Sequence, residues 1–110
     1  MPKYLIRATH TVEGLKGLLK EGGSSRREAI AQGTKAVGGT LEAMYYAFGD
    51  TDLFVIVDLP DNVTATAGSL MTNIPGMSKN TTTVLITPEE MDQAVDLAKE
   101  QMAAYRPPGQ

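Results

Sequence analysis

The run Leu53-Phe54-Val55-Ile56-Val57-Asp58-Leu59 constrains the fold more than any other stretch, because it is apolar at both parities of a strand. A strand of that kind is covered on both faces of its sheet. A chain of 110 residues is one ordinary domain and buries roughly 60–70% of the surface its unfolded form exposes. It supplies a single helical layer, which covers one face. The other face is most simply covered by a second copy, so this strand predicts an obligate homo-oligomer, a dimer or a multiple of dimers.

Composition narrows the function classes. The formal net charge is -3, with 10 basic residues and no tryptophan, so the basic stripe that phosphate-backbone binding needs is missing. Nucleic acid is not an expected partner. Without cysteine there is no disulfide framework, thiolate metal site or cysteine nucleophile. The amino terminus enters a strand-like pattern at Lys3, and no apolar run approaches the ~20 residues of a membrane span. A cytoplasmic protein without a membrane partner is expected.

Punctuation along the chain predicts the elements. Residues 3–9 alternate as a strand, and Thr11 and Glu13 supply a cap and a first-turn acid for a helix to Glu21, stopped at Gly22-Gly23. Ser25 and Glu28 have capping-box spacing and open a second segment bearing Ile30, Thr34 and Val37 on one face. Strands over 40–48 and 53–59 flank the turn Gly49-Asp50-Thr51-Asp52, a hairpin. Pro60-Asp61 opens a helix carrying Val63, Ala67, Leu70 and Ile74 on one stripe. After a β-branched strand over 81–86, Thr87-Pro88-Glu89-Glu90 combines a capping box with proline at the first helical position. The last helix bears Met91, Val95, Ala98, Met102 and Tyr105 on one stripe, and residues 106–110 form a frayed tail. The order is an α+β, ferredoxin-like βαββαβ antiparallel sheet with an additional C-terminal helix, one domain over 1–105. Handedness sets strands one and three at its centre and two and four at its edges.

Gly38-Gly39-Thr40-Leu41, Tyr45, Gly49-Asp50-Thr51-Asp52 and Pro60-Asp61 follow in the order and spacing of the GYD domain family. Thr11-Val12-Glu13-Gly14, Arg26-Arg27 and Thr82-Thr83-Val84-Leu85 add to the likeness, and the chain resembles that family over about residues 2–90. One position departs from it: Thr51 stands where the family name implies tyrosine. The resemblance implies a fold similar to the dimeric α/β-barrel group, whose members include cofactor-free monooxygenases, haem-binding proteins and small-ligand modules. Fold does not choose among these.

Alternation divides the hairpin. Met44, Tyr46, Phe48, Leu53, Val55, Val57 and Leu59 form the face suited to packing under helices, with Tyr45 opposite Ile56 and Tyr46 opposite Val55. Leu41, Ala43, Tyr45, Ala47, Phe54, Ile56 and Asp58, joined by Leu5, Arg7 and Thr9, form the other, where the dimer contact and any pocket are expected. On it Arg7 is expected beside Asp58 with Tyr45 diagonally adjacent, and His10 caps that end of the sheet. Arg7, His10, Tyr45 and Asp58 are the candidate ligand-binding residues, fitted to an anionic or phenolic molecule. His10 and Tyr45 are the candidate catalytic residues, for proton transfer from a carbon acid. The plainer alternative is a structural Arg7–Asp58 ion pair at a dimer contact.

Other combinations are weaker. With strands one and three read as parallel neighbours, His10 and Asp52 fall roughly 20 Å apart at ~3.3 Å per residue, which separates them within one chain. A single histidine and the Asp50/Asp52 turn do not make a metal site. No cofactor is predicted, and haem on His10 rests on the fold analogy alone. Gly22-Gly23-Ser24-Ser25-Arg26-Arg27 has phosphate-binding elements without P-loop spacing. The methionine-bearing terminal stripe fits its own domain, a sister subunit or another partner. The leading expectation is a small oligomer that binds a small organic ligand at or near its sheet-mediated interface. The alternatives are a cofactor-independent monooxygenase or isomerase, and a structural or regulatory oligomer.

Overall fold

A computed structural model describes residues 1–110. The elements are β1 (Lys3–His10), α1 (Val12–Glu21), α2 (Gly23–Ala36), β2 (Thr40–Tyr46), β3 (Leu53–Asp58), α3 (Asn62–Asn73), β4 (Ser78–Leu85) and α4 (Pro88–Ala104). They form one antiparallel sheet of order β2-β3-β1-β4, the expected ferredoxin-like arrangement with β1 and β3 at its centre. One premise was wrong. The helical crossover makes β1 and β2 parallel, and the hairpin then reverses β3 and inserts it between them, so β3 runs antiparallel to β1, with Arg7 opposite Phe54 and Ala8 opposite Leu53.

Alternation places the core. Tyr4, Ala8, Leu53, Val55, Val57 and Leu59 are buried on one side of the sheet, with Ala65 of α3 against them. Phe48, expected in this core, is fully exposed, because β2 ends at Tyr46 and the turn carries Phe48 outward. Leu41 moves the other way. A bulge between Leu41 and Ala43 inserts Glu42 and sets Leu41 opposite Val57 and into the core. The hairpin register also slides by two residues, Tyr45 facing Phe54 and Tyr46 facing Leu53, a shift that keeps each side chain on its predicted face.

The caps act largely as written in the sequence. Thr11 accepts from Gly14 N–H at 3.2 Å, and Thr87 and Glu90 complete their capping box. Ser25 is an exception: α2 begins at Gly23, and the Ser25 hydroxyl donates to Glu21 at 3.0 Å. Gly22 takes a φ of 86° at the break, a conformation that favours glycine. Asp61 caps α3, accepting from Thr64 N–H and from the Thr64 hydroxyl, each at 2.8 Å. The backbone bond, then the hydroxyl, hold its carboxyl below the ordinary 3.8. A lowered native pKa stabilises the fold above the ordinary carboxylate range, and the gain is lost as pH falls through the native value. Asp61→Ala is therefore expected to lower the thermal midpoint at pH 7, with wild-type and variant midpoints drawing together as pH falls through the native Asp61 value.

The helix α3 turns an unexpected face inward. Val63, Leu70 and Ile74 are exposed, whereas Ala65 is buried and Gly68, Ser69 and Asn73 are half-buried. Asn73 fixes this orientation. Its Oδ1 accepts the Asn80 backbone N–H at 2.8 Å and its Nδ2 donates to the Asn80 carbonyl at 3.4 Å, tying the end of α3 to β4.

Candidate functional site

Two helical blocks lie on the core side of the sheet: α1–α2 over β1 and β2, and α3 over β4. Between them a cleft of ≈ 530 Å³ opens over the sheet. Its floor is Ile6, Ala8, Leu53 and Val55; Leu18 and Ile30 form one wall, and Met71, Pro75 and Met77 the other. His10, Glu21, Arg26, Tyr46, Ser78 and Asn80 supply polar groups. An apolar cavity with a few convergent polar groups is the usual form of a small-molecule site. A second groove, between α3 and β4, has Tyr4 as its only ionisable side chain.

Glycines shape the cleft. A Cβ on Gly14 would collide with the Met77 carbonyl, so only glycine lets α1 approach the loop that enters β4 this closely. The Thr11 N–H donates to the same carbonyl at 3.0 Å, and the Thr11 hydroxyl to Gly76 O at 2.8 Å. Gly17, one turn on, faces open space and leaves room in the cleft. Gly17→Ala is expected to raise stability by about 0.5–1 kcal/mol through helix propensity, read in a denaturant titration.

His10 and Asp52 meet, contrary to the sequence expectation, because the antiparallel pairing brings the start of β3 beside the end of β1. The Asp52 carboxylate accepts the His10 backbone N–H at 2.8 Å, and the same oxygen lies 3.6 Å from His10 Nδ1. The His10 side chain is only 13% exposed. Asp52 N–H donates to Ala8 O at 2.9 Å and the Thr9 hydroxyl to Asp50 O at 3.1 Å. The Gly49-Asp50-Thr51-Asp52 turn thus clamps the end of β1 and holds the imidazole at the cleft. At the rim, burial raises the Tyr46 phenol above its ordinary 10.0, Arg26 opposes and Glu21 adds to the rise. The phenol stays protonated at neutral pH and approaches Gly23 O at 3.4 Å.

The other sequence candidates lie elsewhere. Arg7, Tyr45 and Asp58 are on the open face, across the sheet from His10, and are not brought together. Asp58 lies four residues along β3 from Phe54, the partner of Arg7, about 13 Å at strand rise. The cation beside Asp58 is Lys3, whose Nζ is 2.9 Å from Asp58 and 3.3 Å from Glu42. Tyr45 and Arg7 are held apart by Phe54 in the row Tyr45, Phe54, Arg7, Thr81. Sequence reasoning missed Asp52, Tyr46 and Arg26 as parts of one site. Correct strand polarity was the signal that joins Asp52 to His10.

No group of three or more His, Cys, Asp or Glu side chains is placed to hold a metal ion, and no helix is long and apolar enough to cross a membrane. No curated protein and no solved structure matches the chain. The model of the GYD domain matches residues 4–95, from the second residue of β1 into α4. The matched span holds all of the sheet except Lys3, with the Asp52 turn and the cleft, and the chain belongs to the GYD domain family.

Proposed function

We propose that the protein binds a small organic molecule in the cleft between its helices and sheet, and does so as a homo-oligomer joined through the open sheet face. The observation that carries the reading is the cleft itself: an apolar floor of Ile6, Ala8, Leu53 and Val55, with a histidine, an arginine and a protonated phenol among its lining residues. The chemistry suits a flat, largely apolar molecule with an anionic or phenolic end. This moves the ligand from the open face, where the sequence expectation put it, to the concave side. Support for self-association is the half-buried apolar patch of Leu5, Phe54 and Ile56 on the open face, which no helix of the chain packs against.

The test uses 4-hydroxybenzoate as a probe in an NMR titration of the full chain. Saturable shifts at Ile6, His10 and Tyr46 are expected in wild type. Gly17→Leu fills the cleft from a position where a Cβ meets nothing, so it should abolish those shifts while leaving the fold intact. Shifts confined to Arg7 and Tyr45, or unchanged in Gly17→Leu, would refute the cleft as the site.

One contact favours a second reading, cofactor-independent proton transfer of the monooxygenase or isomerase type. A carboxylate beside an imidazole nitrogen helps to orient the ring, as a general base requires. His10 would accept the proton and Asp52 would position it. Undiminished turnover of a carbon-acid substrate by His10→Ala would eliminate this reading.

A further inference from the structure

The terminal helix α4 is exposed along its whole length. It leaves the end of β4 after two residues and takes no part in the main packing between elements. The molecule is consequently elongated, 61 × 31 × 23 Å with a radius of gyration of 18.0 Å, against roughly 13 Å for a compact chain of this length. An isolated helix of this size is marginal in water without tertiary packing. Its apolar residues Met91, Val95, Ala98 and Met102 nevertheless follow the 4-3-4 spacing of a helix-pairing seam.

A second seam of the same form lies on α3. Val63, Ala67, Leu70 and Ile74 have the same 4-3-4 spacing, and all four are exposed. Both seams are left exposed within one chain. We propose that a second copy of this chain joins them: α4 of each protomer lies along α3 of the other, in a reciprocal exchange.

Charge selects this pairing over the alternatives. Five acids, Glu89, Glu90, Asp92, Asp96 and Glu100, stand against the single Lys99 in α4, so pairing two arms with each other sets like charges side by side. Residues 62–73 of α3 carry no charged side chain and present an acidic arm with no opposing acid. Area points the same way. A stable association buries ~800 Å² per partner, and a reciprocal exchange doubles what one seam contributes. Thr87 and Pro88, capped and fixed at the base of the arm, direct the helix outward. The exchange goes beyond the sheet contact proposed above and uses a different surface.

The test mixes two singly labelled full-length proteins, Thr66→Cys on α3 and Asp96→Cys on α4, each bearing a nitroxide; the native chain has no cysteine to interfere. Double electron–electron resonance is expected to show a separation under about 30 Å that appears only in the mixture, as helices packed 8–10 Å apart require. Absence of a mixture-specific distance overturns the exchange. A shorter distance between two Asp96→Cys labels alone overturns it as well, in favour of arm–arm pairing. Ile56→Asp, which disrupts only the sheet contact, should leave the mixture-specific distance in place.

Discussion

Gly14→Ala is expected to destabilise the protein by about 3 kcal/mol, at the upper end of overpacking penalties, and to lower its denaturation midpoint accordingly. The added methyl has nowhere to go. It would overlap a backbone carbonyl, that of Met77, with the Met77 carbonyl carbon at 2.9 Å behind it. A flexible side chain could turn aside, but this carbonyl is fixed by the Thr11 N–H and hydroxyl. Either α1 lifts from the loop, breaking the Thr11 bonds, or the loop shifts at the start of β4. Helix propensity acts in the opposite direction, by up to about 1 kcal/mol, so the measured loss is net of that gain. Gly17→Ala in the same helix is the control, because it receives the propensity gain without the clash. A urea titration of both variants separates the two effects, and equal stabilities would mean that α1 does not approach Met77 as described.

Ile56→Asp is expected to halve the mass of the native assembly, leaving pairs joined by the α3–α4 exchange. Ile56 lies at the centre of the open face, between Ala43 and Leu5 on the neighbouring strands. A carboxylate there would be buried without a partner if a second sheet covers it, and removing an unpaired charge from water costs several kcal/mol. In a lone protomer the same side chain is solvated and the fold is retained. Sedimentation velocity at matched concentrations gives the answer. An unchanged mass would show that the open face is not an interface between copies.

The strand 53–59 could be read from sequence because its pattern is local: alternation fixed which side chains point inward, and Leu53, Val55, Val57 and Leu59 are all buried. Thr11, Asp61 and Thr87 could be read for the same reason, since a cap bonds within its own first turn. What failed depended on partners far along the chain. The bulge at Glu42 reverses the facing of Leu41, and no composition marks it. The apolar stripe of α3 predicted an inward face, but Asn73 and Asn80 lock the opposite one against β4. That stripe is then left for another surface. The pair His10 and Asp52, 42 positions apart, is visible in the sequence but is rejected there because β1 and β3 are read as parallel. Arg7, Tyr45 and Asp58 were correctly placed on one face but spread by register along it. Periodicity gives the face of a residue, and only register gives its neighbours.

The Asp52 turn links family membership to the site. Its aspartate binds the His10 backbone and lies beside the imidazole, while Thr51, half-buried in the turn, occupies the position that departs from the family name. Asp52→Asn keeps an acceptor for the His10 N–H but removes the charge beside the ring. It is expected to leave the thermal midpoint close to that of wild type, because the bond to the His10 backbone survives.

The proposed function rests on a small molecule held in the cleft. Native mass spectrometry of the untagged protein purified from its own cells, beside Gly17→Leu prepared in the same way, tests it most directly. The predicted result is an oligomer carrying an excess mass that denaturation releases, and a Gly17→Leu oligomer of the same number of chains without that mass. An excess mass retained equally by Gly17→Leu would contradict the account, because the molecule would then be bound somewhere other than the cleft.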